Sequence, residues 1–140
     1  MKTCVLILLQ ILGITWCSAQ GKEACAPRYN SQLQRELHTF TTEMPEFPDG
    51  MVGLLKFLSK KFTYPKGEQE LQSRINFLLV IEPDGQVSYV GIANKLPEQY
   101  TRVERKAVAD LSQWPKWKPA RCNGKAVAFE YGIPYRICFQ

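Results

Sequence analysis

The stretch RINFLLVIEPDGQVSYVGIAN, residues 74–94, constrains this chain more than any other. Two β-rich runs flank Pro83-Asp84-Gly85, in which the proline presets φ for a turn and the glycine accepts a positive φ. The runs therefore form an antiparallel hairpin. In the first run Ile75, Phe77, Leu79 and Ile81 share one face, and Leu78 and Val80 make the opposite face apolar as well. A strand buried on both faces belongs in the middle of its sheet.

Elements on either side of the hairpin supply partners for it. In FPDGMVGLLKFLSKKFTYP, Met51, Leu54, Leu55, Leu58 and Phe62 recur at helical spacing on one side, Asp49 is placed to cap the start, and Tyr64-Pro65 ends the run. A short polar helix, KGEQELQ, follows it. Thr101 and Glu104 form a capping box ahead of Val103, Ala107, Val108, Leu111 and Trp114, and Pro115 stops that second helix. After the Asn123-Gly124 turn, the odd positions Val127 to Phe139 are all large and apolar, whereas the even ones are small or polar. That alternation marks a strand with one buried face, and Pro134, which has no N–H to donate, puts its outward side at an edge or a bulge. The crowded stretch SQWPKWKPARCNGK (112–125) is then a corner in which Trp114 and Trp117 turn back onto the core. The elements add up to an α+β fold.

The first nineteen residues carry Lys2, an apolar run from Val5 to Trp16, and small residues at Cys17 and Ala19. This is the layout of a cleavable export signal with cleavage after Ala19, since a run of about 12 residues is short of the roughly 20 that span a bilayer. Residues 20–46 read as a polar arm with a short helix around SQLQRELHTF, and residues 47–140 as the single folded domain. Formal net charge is +5, from 18 Lys and Arg against 13 Asp and Glu. With export, and without an arginine run or zinc-ligand spacing, that mixed surface excludes a nucleic-acid partner. The mature chain keeps Cys25, Cys122 and Cys138 in a compartment that permits disulfides. A strand between Cys122 and Cys138 holds those two apart, so Cys25 is the partner of one or the other. His38 is the chain's one histidine and reads as a solvated side chain. Glu68, Glu70, Glu82 and Asp84 fall on a short helix and a turn, where solvation accounts for them. No catalytic residue, cofactor or metal site is implied.

The order helix, hairpin, helix, strand, with YP before the hairpin, PDGQV within it, WKP after the second helix and GKAVAFEYGIPYRICF at the end, resembles the C-terminal domain of TonB over roughly residues 44–140. The preceding MPEFPDG and LLKFLSKKFTYP are similar to the entry segment of many bacterial versions. The resemblance implies a three-stranded antiparallel sheet with helices packed on one face and the last strand at an edge. It also implies a periplasmic, non-enzymatic module of a Gram-negative bacterium that grasps an extended peptide, the TonB box, from outer-membrane transport receptors. That peptide adds as a strand, its bonds coming from main-chain groups of the exposed edge. Carried onto this chain, the contact residues are Val127, Ala128, Phe129, Glu130, Tyr131, Gly132 and Ile133, with Tyr64 and Pro65 nearby. A full TonB adds a membrane anchor and a long proline-rich spacer. Residues 20–46 contain no such spacer and reach at most about 90 Å, which argues against a force-transmitting role. The same edge also suits a structural or regulatory protein that forms a homodimer or binds another partner.

Overall fold

The computed structural model describes residues 25–62 and 74–136. Its centre is the expected hairpin, β3 (Arg74–Ile81) with β4 (Val87–Ile92). Gly85 takes φ 84°, Glu82 and Gln86 close the loop through a 2.8 Å backbone bond, and Asp84 Oδ1 accepts from the Gln86 N–H at 2.9 Å. The last strand, β7 (Phe129–Arg136), pairs antiparallel with the other side of β3, so Leu79 lies between Val90 and Tyr131. The order β4-β3-β7 puts β3 in the middle, as its two apolar faces require.

Two helices lie on the face formed by Ile75, Phe77, Leu79 and Ile81. Helix α1 (Gly50–Lys61) contributes Leu54 and Leu58, and α2 (Arg102–Asp110) contributes Ala107, with Leu111 just beyond it. The start of α1 is not closed by the Asp49 side chain. Asp49 and Gly50 both take left-handed φ, 61° and 63°, and this bend brings backbone carbonyls to the first N–H groups, Phe47 to Gly50 at 2.8 Å and Asp49 to Gly53 at 3.2 Å. The helix's apolar arc is also divided differently from expectation: Met51 and Leu55 are 62% and 56% exposed, while Phe57 packs inward. At α2 the capping box forms as read, with Thr101 Oγ1 accepting from Glu104 N and Glu104 Oε2 from Thr101 N. The helix ends at Asp110, before Pro115, where the Leu111 N–H is shared between the carbonyls of Ala107 and Val108. A tightened last turn of this kind needs no proline.

Beyond α2 the corner folds back as expected. The Trp117 N–H donates to the Gly85 carbonyl at 2.8 Å, tying the corner to the hairpin turn, and Trp117 is buried against Phe47 and Tyr131 at ring separations of 5.2 and 5.1 Å. Trp114 meets Phe57 at 4.8 Å. These rings join α1, the corner and β7 into one cluster, each contact adding about 0.5–1.5 kcal/mol beyond the area it buries. A two-residue pair, β5 (Arg121–Cys122) with β6 (Lys125–Ala126), flanks the Asn123-Gly124 turn.

The arm does not form the expected helix at SQLQRELHTF. It makes a hairpin of β1 (Arg28–Asn30) and β2 (Arg35–Leu37), turned by Ser31–Gln34 with Gln34 at φ 52°. Asn30 Oδ1 holds the turn by accepting from the Leu33 N–H, a local bond that competes with helix. The hairpin crosses the second face of the sheet, where Leu78 and Val80 are buried. Asn30 donates to Glu130 at 2.8 Å, Gln32 Nε2 to the Lys95 carbonyl at 2.8 Å and the Ile92 carbonyl at 3.1 Å, and Arg35 pairs with Glu82 at 2.8 Å. Downstream, Glu43 and Glu46 bridge antiparallel to Arg121 and Lys118. Cys25 is joined to Cys122 across 97 residues, which resolves the pairing the sequence left open; Cys138 lies outside the described residues, as does the expected KGEQELQ helix.

Two stability measurements check this construction. In the chain-entropy description a closed loop near this length stabilises by up to about 4.7 kcal/mol, and measured effects are typically about 2–4. Replacing Cys25 and Cys122 together by Ser is therefore expected to lower unfolding free energy by about 2–4 kcal/mol in a denaturant titration. At the start of α2, burial pushes the Glu104 carboxyl up, but the Lys95 ammonium at 2.6 Å and the bonds from Thr101 outweigh it and hold the group below the usual carboxylate range. The folded pKa is depressed, so this stabilisation is complete above the unfolded value of about 4.3 and disappears as pH falls through the lower folded value. Glu104→Gln is expected to be less stable by about 1–3 kcal/mol at neutral pH and to lose that deficit in acid, as read by denaturant unfolding across pH.

Candidate functional site

Along a strand, the N–H and C=O of one residue point to the same side and successive residues alternate. Pro134 stands opposite Asn76 and has no N–H, and the Glu130 N–H bonds to His38 rather than to β3. The backbone groups of Glu130, Gly132 and Pro134 therefore face away from β3, along the outer edge of β7. The Glu130 carbonyl, the Gly132 N–H and carbonyl, and the Pro134 carbonyl have no hydrogen-bond partner among the described residues. Gly132 is exposed, and a Cβ built there would meet nothing within 4 Å.

This edge differs from the expected contact strand at its beginning. Val127 and Ala128 precede β7, and the Val127 N–H donates to the Ala120 carbonyl at 3.0 Å. His38 then lies alongside Phe129 in a parallel bridge, its N–H on the Ala128 carbonyl at 3.1 Å and its carbonyl on the Glu130 N–H at 2.8 Å. Its ring Nδ1 is also 3.2 Å from the Ala128 carbonyl oxygen. Residues Val127 to Phe129 are thus engaged by the chain itself, and the outward backbone groups left without a partner among the described residues run from the Glu130 carbonyl through Gly132 to the Pro134 carbonyl. His38, read from sequence as merely solvated, is a main-chain partner of the strand. Tyr64 and Pro65 lie outside the described residues.

An apolar groove of about 210 Å³ runs beside this stretch, between α1 and β7. Met51, Leu54 and Leu55 line one side and Tyr131, Ile133 and Tyr135 the other. A second hollow of about 160 Å³ adjoins it at Pro45, Phe47 and Met51. The aromatic cluster under α1 fixes the width of this groove, and burial pushes the Tyr131 phenol up, so it stays neutral at physiological pH. Sequence reasoning grouped Met51 and Leu55 with Leu54 and Leu58 on one side of the helix, without setting the two exposed residues apart from the two buried ones. The available signal was the breadth of the apolar arc: Met51, Val52, Leu54, Leu55, Phe57 and Leu58 are more than one buried face of a helix accommodates.

A sequence model of the family described as Gram-negative bacterial TonB protein C-terminal matches residues 60–137, more than half of the chain. The chain belongs to this TonB C-terminal family. The match spans the three-stranded sheet and α2, and starts at the last residues of α1, after the arm. Compared with curated proteins and with solved structures, the chain gives no match. The family is a non-catalytic interaction domain of the Gram-negative envelope associated with transport. No described helix is long and apolar enough to cross a membrane, and no group of three or more His, Cys, Asp or Glu among the described residues is placed to hold a metal ion.

The geometry of the edge is checked by amide exchange in the free protein. The amides of His38 and Glu130 are expected to exchange at least about a hundredfold more slowly than that of Gly132, since among the described residues only the first two are bonded. Equal, fast exchange at all three in an NMR series would contradict the parallel bridge.

Proposed function

We propose that this protein is an exported, periplasmic interaction module of Gram-negative envelope transport that binds an extended peptide of an outer-membrane receptor by strand addition to β7. The observation that carries the reading is that, among the described residues, the outward backbone groups from the Glu130 carbonyl to the Pro134 carbonyl have no partner, and that they lie beside an apolar groove. The edge supplies bonds to any extended chain, and the groove, with Met51 and Leu55 at its rim, selects guests that present apolar side chains on the face toward α1. Residues 1–19 act as the cleaved export signal, and the arm from Gln20 stays with the mature chain.

A second reading uses the same edge differently. An open edge flanked by exposed Met51 and Leu55 also suits pairing with another copy of this chain or with an unrelated envelope partner. Solution mass separates the two, because a stable dimer whose Gly132 amide is already slow to exchange has its edge occupied.

The direct test is calorimetric titration of the protein with TonB-box peptides from outer-membrane receptors, alongside Gly132→Pro. That substitution removes the edge's free N–H and places a ring where the guest backbone would lie, yet an edge strand tolerates proline. The variant is expected to keep its near-UV circular dichroism and to bind at least about tenfold more weakly. Absence of binding by every box peptide, or unchanged affinity in the variant, sinks the strand-addition reading.

A further inference from the structure

The arm of residues 25–46 lies before the region matched to the family, and it reaches the one surface the proposed function uses. We infer that the arm is a fixed register stop: it sets where a guest strand begins on β7 and thereby dictates the chemistry of the guest backbone. This inference rests on strand addition as proposed above.

The arm is tied on both sides of His38 to one segment of the domain. Upstream, Cys25 is covalently joined to Cys122. Downstream, Glu43 and Arg121 exchange two backbone bonds of 3.0 and 2.9 Å, as do Glu46 and Lys118. Between those ties, Asn30 to Glu130 and Arg35 to Glu82 hold the hairpin against the sheet. A guest that displaced His38 would gain the Ala128 carbonyl and the Glu130 N–H, the same two bonds His38 gives up. It would also uncover Leu78 and Val80 and cost the arm's side-chain bonds, so displacement brings no net return. The guest therefore begins at the Glu130 carbonyl.

From there to Pro134 the edge presents, among the described residues, three unbonded acceptors, the carbonyls of Glu130, Gly132 and Pro134, and one donor, the Gly132 N–H. His38 has taken the Glu130 N–H and proline has none at 134. Whether the guest runs parallel or antiparallel, three carbonyls on alternate residues require three guest N–H groups on alternate residues. The partner is accordingly a peptide with a five-residue extended stretch free of proline at its first, third and fifth positions, its intervening residues being free to vary in backbone chemistry.

The experiment uses the full mature protein and a nine-residue TonB-box peptide that binds it, N-methylated at one residue at a time, with amide exchange and intermolecular NOEs recorded on the complex. Three alternate positions are expected to lose about tenfold in affinity each. Toward the arm, the pattern is expected to end at the residue facing Glu130, with the His38 amide as slow to exchange in the complex as in the free protein. A further sensitive position on the arm side, with NOEs to Ala128 and fast exchange at His38, overturns the stop while leaving strand addition intact. Loss of affinity without any alternation, or no binding by the peptide series, overturns strand addition and the stop with it.

Discussion

From Phe77 to Ile81 every side chain of β3 is apolar and buried, and a strand of that kind has to be covered twice. Most of the molecule follows from this requirement. The odd face recruits α1, α2 and the aromatic corner. The even face, carrying Leu78 and Val80, recruits the arm, and Leu37 of the arm is itself fully buried. Once the arm lies across that face, its exit past the end of β7 brings His38 onto the strand's outer edge. The partial occupation of the edge is thus a by-product of covering the core.

How much of this was legible in the sequence depended on how local the cause was. The PDG turn, the capping box at Thr101 and Glu104 and the alternation after Asn123-Gly124 each act over a few residues; the first two stand in the structure as read, and the third does so from Phe129 to Tyr135. The central place of β3 and the edge place of Pro134 followed from burial pattern and a missing N–H. The readings that failed had a competing conformation available. SQLQRELHTF had enough apolar spacing for a short helix, but Asn30 turns it and the sheet face holds it as a strand. Asp49 is a good capping residue in isolation, yet the left-handed bend at 49–50 offers the helix start carbonyls instead.

The candidate site divides along the same line. That the Pro134 backbone, and with it every second residue back to Glu130, turns away from β3 was legible from the proline's missing N–H. The engagement of Val127 and Ala128 was not, since it is set by His38 and Ala120, 90 and 7 residues away in sequence from the groups they bond. The groove was half visible. Helical spacing found Met51 and Leu55, but which apolar residues of α1 turn inward is decided by where Phe47, Trp114 and Trp117 pack, and Phe57 won that place.

The Cys25 to Cys122 link has a mechanical meaning as well. Because it joins the beginning of the arm to the β5 corner, tension applied through the residues before Cys25 enters the domain at Cys122 and bypasses the arm's hydrogen bonds altogether. Without the link, such a load would break those bonds in succession. A covalent tie at that corner keeps the arm seated on the sheet even while its individual hydrogen bonds open one at a time.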